Sequence, residues 1–364
     1  MTNRDKAKLQ RIVFVFFGLA AAAALMVLCA VLLRSSNYGA NIVPQSRAVP
    51  LETGAAQEPV AEPDYSYELA AVSFTGSLTP GSMLGSNTFG TFNKHVQENG
   101  PEFFLQDLSG YLKEDCLTVS LCDAVLSDSD SLKPAEKTVP AWSRGPVTNV
   151  DIFKKGGIDL LSVASSRIHD YGAEGFDDTV RAIFTNGLAV IPENDYVRFE
   201  FSGMSVAVIS GVLGENDGAV RELAAKAAAD CDLVAVYMSD TGAGYQPSAE
   251  KTEAFRSFID AGADLVAGTN GMNLQPVEEY NGGYIAYSLG CLIDGMNRYG
   301  ERYSAILRCE LRKSSGGEIE KVFGIIPLVT YTSESQWRPQ VLTEIEMLTR
   351  VNAFLSGERE YLEG

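Results

Sequence analysis

The stretch Ala164-Ser165-Ser166-Arg167-Ile168-His169-Asp170-Tyr171-Gly172 is a polar loop between two segments of different periodicity. The apolar run Asp159–Ala164 leads into it and predicts a buried strand, whereas Glu174–Asn186 follows it with the spacing of a helix. A strand that passes through a polar turn into a helix is the repeating unit of α/β folds. Because similar units recur along the chain, the sequence predicts an α/β domain.

Short β-branched and apolar runs predict nine strands, and helical periodicity predicts five helices. The strands are Leu69–Thr75, Leu117–Cys122, Asp159–Ala164, Tyr196–Phe201, Ser205–Ser210, Asp232–Met238, Leu265–Gly268, Tyr284–Ser288 and Tyr303–Leu311. The helices are Asn149–Lys155, Glu174–Asn186, Ala219–Ala229, Ala249–Ala261 and Thr343–Leu355. Ser202-Gly203-Met204 predicts a hairpin turn. The carboxyl ends of strands meet at one edge in such folds, so functional side chains are expected there.

The N-terminal segment is basic and then apolar. A flank at 1–11 with four Lys or Arg precedes an uninterrupted apolar run at 12–33, whose 22 residues would span about 33 Å as a helix. A cleaved signal peptide is the alternative, but its apolar region is usually about 7–15 residues long. We therefore predict a transmembrane signal anchor with a cytoplasmic N-terminus. The remaining segments are predicted as a flexible linker at 34–66, a folded extracytoplasmic domain at 67–335 and a C-terminal helix and tail at 336–364.

The charge of the chain limits its partners. Residues 35–364 contain 24 Lys and Arg against 46 Asp and Glu, a net charge of −22. Such a surface repels polyanions, so we expect no nucleic-acid partner. An anionic polymer could be held only in a locally basic groove. The acidic surface also keeps an exported domain soluble.

Six segments that follow predicted strands or end them carry recognisable motifs. They are Phe74-Thr75-Gly76-Ser77, Ser120-Leu121-Cys122, Ala164–Gly172, Met238–Tyr245, Gly262–Met272 and Tyr287-Ser288-Leu289-Gly290-Cys291. In this order they resemble the motifs of the CapA family, the bacterial capsule and poly-γ-glutamate synthesis proteins. The resemblance covers about Ala70 to Asp294. It implies a metallophosphatase-like (calcineurin-like) αββα sandwich with mixed sheets, preceded in this chain by one transmembrane helix.

The same comparison indicates that the family's metal ligands have been replaced. The replaced positions, called here the strand-end site, are Ser77, Cys122, Ser166, Arg167, Asp240, Asn270, Met272 and Cys291. Only two histidines occur in the chain, His95 and His169, and both are predicted to be structural. A two-metal hydrolytic centre needs several His and carboxylate ligands. We therefore predict that the chain binds no metal and no other cofactor.

Several roles at the strand-end site stay open from the sequence. Arg167 could offer its guanidinium to an anionic ligand, or it could form an internal ion pair with Asp170 or Asp240. Asp170 is expected to cap the helix that starts near Glu174, or to orient the turn before it. Six cysteines occur, and Cys122 and Cys291 could either form a disulfide or remain two buried thiols.

The resemblance implies a role in making capsule, poly-γ-glutamate or another cell-envelope polymer. The favoured hypothesis is a membrane-anchored accessory protein that binds the polymer or the polymer-synthesis proteins without catalysis. Its expected contacts are the lipid bilayer, through the N-terminal helix, and an envelope polymer or protein outside the bacterial cell membrane. The alternative is a hydrolase or transferase that uses Asp170 and Asp240 as acid and base without metal.

Overall fold

The computed structural model describes residues 67–85, 91–137, 141–165, 167–240, 242–269, 273–296, 302–330 and 337–362. Its strands are β1 (Tyr67–Thr75), β2 (Ser77–Thr79), β3 (Ser82–Met83), β4 (Leu117–Leu121), β5 (Val125–Leu126), β6 (Ser143–Gly145), β7 (Leu160–Ser162), β8 (Ala189–Val190), β9 (Val197–Phe201), β10 (Met204–Val212), β11 (Leu233–Ser239), β12 (Leu265–Thr269), β13 (Val277–Tyr280), β14 (Gly283–Ala286), β15 (Cys291–Asp294), β16 (Tyr303–Ser314), β17 (Ile319–Val329) and β18 (Gln340–Val341).

The α-helices within these residues are α1 (Phe92–Asn99), α2 (Ser109–Leu112), α3 (Asp151–Gly156), α4 (Gly172–Thr185), α5 (Asp217–Ala228), α6 (Ala249–Asp260) and α7 (Ile345–Leu355). Short 3-10 helices lie at Pro101–Phe103, Gln106–Leu108 and Val147–Val150. The nine predicted strands and five predicted helices are confirmed, with ends shifted by a few residues. The predicted segments 1–11, 12–33 and 34–66 lie outside the described residues.

Two large mixed sheets form the centre of the fold. One has the strand order β18-β17-β16-β1-β4-β7-β8, and the other has the order β13-β14-β12-β11-β10-β9. Strands β1, β4, β7 and β8 run parallel to one another, as do β10, β11, β12 and β14, while the outer strands are antiparallel. The α/β class is therefore observed as a mixed α/β arrangement of several sheets.

The sheets face each other across a shared apolar core. Phe74 of β1 lies with its ring centroid 5.8 Å from that of Tyr237 of β11, and both belong to one buried cluster. Alternate residues of β10 point to opposite sides, since Val208 joins this shared core and Ile209 joins a second cluster with α5 and α6. A strand buried on both faces reads as a continuous apolar run. A third cluster, with Phe153 of α3, covers the outer face of the other sheet.

The predicted hairpin is present between β9 and β10, which pair antiparallel. Ser202 and Gly203 both have positive φ, at 50° and 66°. Two consecutive left-handed residues are typical of the tight turns that match the twist of paired strands.

Residues Tyr65–Gly364 form one compact unit, so the C-terminal helix and tail belong with the preceding domain in this unit. Phe354 of α7 and Leu362 are buried in the core between the sheets. Within the part of the chain that the structure covers, no helix is both long and apolar enough to cross a membrane.

Candidate functional site at the strand ends

The end of β1 turns sharply at Gly76 and brings Ser77 next to Cys291. Ser77 is fully buried, and its hydroxyl donates to Cys291 Sγ at 3.2 Å. The short strands β2 and β15 pair in parallel with these two residues opposite each other. A Cβ at Gly76 would lie 2.5 Å from the carbonyl oxygen of Gly290, so only glycine allows this approach. Two matched positions therefore meet here.

Cys122 follows β4 and joins the same region through a parallel bridge to Leu78, the neighbour of Ser77. Its thiol is fully buried, lies 3.5 Å from the carbonyl oxygen of Ala124, and burial raises its pKa to about 12. Cys122 and Cys291 form no disulfide with each other, and each sulfur has another neighbour. A thiol with such a pKa stays neutral and is a poor nucleophile or metal ligand.

Arg167 is bound to a carboxylate that the sequence analysis did not consider. Its Nη1 forms an ion pair with Asp123 Oδ2, and Asp123 is fully buried. Ser165 Oγ donates to Asp123 Oδ1, and Thr79 Oγ1 lies 3.4 Å from Oδ2. The expected internal ion pair exists, but its partner is Asp123 rather than Asp170 or Asp240. We call these four side chains the Arg167–Asp123 cluster.

Asp170 does not cap the following helix. The N-cap position of α4 is Tyr171, and no side chain forms a capping hydrogen bond there. Asp170 is 1% exposed and forms an ion pair with Lys137, while its carbonyl oxygen accepts from Ala135 N at 2.7 Å. Burial raises the pKa of this carboxyl despite the nearby Lys137 ammonium. The residue fastens the 135–137 loop to the turn before α4.

Asp240 follows β11 and holds a buried lysine. Lys251 of α6 is 2% exposed, and its Nζ lies 2.8 Å from Asp240 Oδ2 and 2.9 Å from Gln275 Oε1. Ser248 is the N-cap residue of α6 and its hydroxyl accepts from Lys251 N, so the lysine lies in the first turn of the helix, where it contacts Asp240. Burial lowers the pKa of the Lys251 ammonium, and Asp240 opposes that change.

Tyr237 connects the two sheets near this edge. Its hydroxyl donates to the carbonyl oxygen of Thr75 at 2.7 Å, just before the Gly76 turn. Further along, Asp240 N donates to the carbonyl oxygen of Thr269 at 2.9 Å. Burial raises the pKa of the Tyr237 hydroxyl, so it remains a neutral donor. The ends of β1, β11 and β12 are thus linked by hydrogen bonds.

The matched positions Ser166, Asn270 and Met272 lie outside the described residues. Of the others, Ser77, Cys122 and Cys291 meet around β2, and Arg167 joins that region through Asp123 and Thr79. Asp240 lies at the end of the opposite sheet with Lys251. The strand-end site is therefore a real edge of the fold, with two separate internal ion pairs.

Comparison with known proteins points to one family. A family model described as "Bacterial capsule synthesis protein PGA_cap" matches residues 192–296. The chain is 23% identical over 282 residues to the PGA biosynthesis protein CapA of Bacillus subtilis, covering 70% of this chain and 71% of that protein. It is 24% identical over 279 residues to the capsule biosynthesis protein CapA of Bacillus anthracis, covering 68% and 66%. These matches support membership of the CapA family.

Two solved structures are also similar to this chain at low identity. One is the crystal structure of a hypothetical protein from Thermus thermophilus, with 14% identity and a TM-score of 0.39 over 70% of this chain and 98% of that one. The other is Chaetomium thermophilum Vps29, with 9% identity and a TM-score of 0.25 over 71% and 97%.

The side chains at this edge do not suit the divalent metals of a hydrolytic centre. The described matched positions carry a hydroxyl, a neutral thiol and a guanidinium, and Asp123 and Asp240 are each bound to a side-chain cation. Carboxylates, neutral imidazoles and thiolates are the usual ligands of such metals. Among the described residues, no three His, Cys, Asp or Glu side chains are grouped closely enough to hold a metal ion.

Sequence reasoning missed Asp123 and Lys251, although a weak signal existed for each. Asp123 directly follows the matched position Cys122 at a strand end, where polar residues are expected to be functional. Lys251 stands three residues after Ser248 at the start of α6. Neither sequence position reveals which opposite charge the side chain will contact. Both histidines make ring contacts, since His95 packs against Phe103 and His169 stacks on Phe176.

Proposed function

We propose that this CapA-family chain is a membrane-anchored, non-catalytic accessory protein that binds a polymer during capsule, poly-γ-glutamate or other cell-envelope polymer biosynthesis. The family supports the link to capsule and poly-γ-glutamate biosynthesis. The two facing sheets with helices on their outer sides support the metallophosphatase-like αββα arrangement expected from the resemblance. The apolar run at 12–33 supports the anchor and a location outside the bacterial cell membrane.

The main support for a non-catalytic role is that two ion pairs within the chain occupy the strand-end site. Arg167 binds buried Asp123, and Lys251 binds Asp240, so charge that a metal would supply in an enzyme is supplied by the chain itself. A metal-assisted hydrolase needs an ion that acidifies a bound water and stabilises developing negative charge. A fixed ion pair can hold the scaffold together but cannot acidify water in this way.

The proposal is tested with the full-length chain purified in detergent. After incubation with Mn²⁺, Zn²⁺ or Fe²⁺ and desalting, we expect far less than one metal ion per chain and no hydrolysis of p-nitrophenyl phosphate or its diester. The same protein should capture capsule-type polymers from solution. Stoichiometric metal, or turnover that disappears in an Asp123→Asn and Asp240→Asn double variant, would overturn the non-catalytic role, and failure to capture any polymer would overturn the binding role.

The metal-free enzyme has less structural support. Asp170 is 1% exposed and bound to Lys137, which leaves it inaccessible to a polymer. Asp240 is bound to Lys251 and to the backbone N of Gly242. If this alternative were correct, Asp240→Asn would abolish polymer cleavage or transfer by the full-length protein.

A further inference from the structure

A groove of about 520 Å³ opens beside the small sheet formed by β3, β6 and β5. Its walls come from β3, β6, helix α1, the loop after β5 and the turn before α4. Its uncharged polar side chains include Ser82, Thr91, Asn93, Gln97 and Tyr171, and Arg144 lies beside them. The strand-end positions described above do not line this groove.

The groove adjoins the Arg167–Asp123 cluster through three chain segments. Thr79 of the cluster is followed by Ser82, Asp123 is followed by Ser127 and Asp128, and Arg167 is followed by Tyr171. Three to five residues extend at most about 18 Å, so a short stretch of chain joins the cluster to the groove in each of these segments.

The polar groups of the groove are held in place before any ligand binds. Arg144 Nε donates to the carbonyl oxygen of Ser127 at 3.1 Å, and its Nη2 donates to that of Ser129 at 2.6 Å. Asn93 N donates to Ser82 Oγ at 2.9 Å, and Asn93 Nδ2 donates to the carbonyl oxygen of Arg144 at 3.0 Å. Side chains fixed in this way lose little conformational freedom on binding.

Tyr171 supplies a second observation that points to a ligand. It lines the groove, is 4% exposed, and its hydroxyl has no hydrogen-bond partner among the described residues. The guanidinium of Arg144 lies 5.8 Å from the centre of its ring. Buried hydroxyls are normally hydrogen-bonded, and an unpaired one costs free energy that a ligand or water can recover.

The charges of the groove are balanced. Arg144 and Lys94 are opposed by Asp128 and Asp130, and Lys94 also lies 3.3 Å from Glu98. This groove is not the locally basic surface that a chain with a net charge of −18 would need to hold a polyanion. Hydroxyl and amide side chains beside an aromatic ring suit a ligand with many hydroxyls and no net charge.

We propose that the groove binds a neutral saccharide unit of an envelope polymer, with Tyr171 and Arg144 as hydrogen-bond donors to its oxygens. This inference rests on the proposed polymer-binding function and adds the ligand class and the place. The proposal gives a role to Asp170-Tyr171-Gly172, which matches the family motif although the neighbouring ligand positions carry Ser166 and Arg167. That tripeptide positions Tyr171 at the groove through the ion pair of Asp170.

The test measures binding of full-length protein in detergent to neutral tetrasaccharides of glucose, galactose and N-acetylglucosamine, and to a γ-linked glutamate pentamer. We expect at least one neutral tetrasaccharide to bind. Tyr171→Phe, which removes only the hydroxyl, should weaken that binding about threefold to tenfold, as expected for one hydrogen bond. Arg144→Gln should weaken it more than Tyr171→Phe, whereas Arg181→Gln on exposed α4 is the matched control and should have no effect. Thermal melting of each variant verifies folding.

The outcomes separate this inference from the proposed function. If the wild type binds the glutamate pentamer and Tyr171→Phe weakens that binding, the proposal that the groove binds a neutral saccharide is wrong. Capture of whole polymers that is equal in wild type, Tyr171→Phe and Arg144→Gln would overturn the groove while the proposed function stands. Capture of no polymer by the wild type would overturn the proposed function itself.

Discussion

Single residues at the strand ends show how buried carboxylates are accommodated at this edge of the fold. A buried carboxylate needs a positive partner or hydrogen bonds to offset its loss of hydration. Arg167 supplies that partner to Asp123, and Lys251 supplies it to Asp240. A buried ion pair adds little net stability by itself, but its disruption is costly because one charge remains unpaired.

Asp123→Asn should therefore destabilise the protein strongly. Arg167 would lose its ionic partner while its side chain is only 16% exposed, and we expect a loss of about 3 kcal/mol in the free energy of unfolding. Urea unfolding measures the change. The double variant Asp123→Leu with Arg167→Met, which removes both charges, should retain more stability than Asp123→Asn. Glu98→Gln on the exposed face of α1 is the control and should change little. A loss in Asp123→Asn as small as in that control would contradict this account.

At these residues the sequence predicted local features of the chain but not contacts between distant segments. The motifs placed Ser77, Cys122 and Cys291 at one edge because strand ends and tight glycine turns are local features of the chain. The partner of Arg167 was not local, since Asp123 lies 44 residues away. Asp170 was expected to cap α4 or to orient the turn before it, and its contact with Lys137 fits the second role. The sequence did not identify Lys137 as the partner, because it approaches from a loop whose path no periodicity reveals.

At the scale of elements, close backbone contacts fix how the strands meet. Gly268 in β12 would place a Cβ 2.0 Å from the carbonyl oxygen of Tyr287, and its own carbonyl oxygen accepts from Leu289 N at 2.8 Å. No flexible side chain could move to relieve this clash. The glycine is thus required for the chain to pass from β12 to the segment that leads into β15.

Gly268→Ala should destabilise the protein by about 3 kcal/mol because the backbone around Tyr287 must shift. Gly324→Ala is a matched control in β17, where an added Cβ meets nothing within 4 Å. Alanine at that position should be neutral or slightly stabilising, since glycine weakens a strand. Both values are read from urea unfolding. Equal stability of the two variants would show that the close approach at Gly268 is not essential.

His95 joins α1 to the aromatic cluster beneath it, and this contact should make stability depend on pH. Its ring centroid lies 5.1 Å from that of Phe103 and 5.3 Å from that of Trp337. Burial lowers the pKa of His95 below 6.5, while Glu98 opposes the shift. The unfolded chain therefore binds a proton that the folded chain does not, so this contribution is present above about pH 6.5 and is lost as pH falls towards the folded pKa.

His95→Phe should reduce the loss of stability between pH 7.5 and pH 5.5, because an uncharged ring replaces one that the cluster disfavours when protonated. The measurement is the urea midpoint at both pH values, followed by tryptophan fluorescence. If His95→Phe lost as much stability between the two pH values as the wild type, the pH dependence would come from other groups and this account of His95 would be wrong.

One long strand was missed because its own sequence contains residues that are unusual in strands. Strand β17 (Ile319–Val329) was not predicted, since it contains Gly324 and Pro327, which are unusual within strands. It nevertheless pairs along eleven residues with β16 and only briefly with β18. Its length is supported by the neighbouring strand rather than by its own sequence. The strongly apolar strands β10, β11 and β12 were predicted because burial on both faces is visible in their composition.

At the scale of the whole molecule, charge is divided sharply along the chain. Residues 1–34 carry five Lys or Arg and one Asp, whereas residues 35–364 have a net charge of −22. Under the proposed topology, the basic flank would stay on the cytoplasmic side. The acidic domain would then face outward, where its charge repels anionic surfaces, and the charge-balanced groove is the proposed place for a polymer contact.

The anchor should therefore decide where the protein is found. Full-length chain expressed in a bacterium should stay in the membrane fraction after alkaline carbonate extraction, and its domain should be digested by protease added to spheroplasts. Replacing Leu25 and Val27 with Arg should release the chain from the membrane, because each central Arg raises the cost of insertion by about 2.5–3.5 kcal/mol. Replacing the same two residues with Ala is the control and should keep the anchor. Recovery of the full-length protein in the soluble cytoplasmic fraction, or protection of the domain in spheroplasts, would contradict the proposed anchor and its orientation.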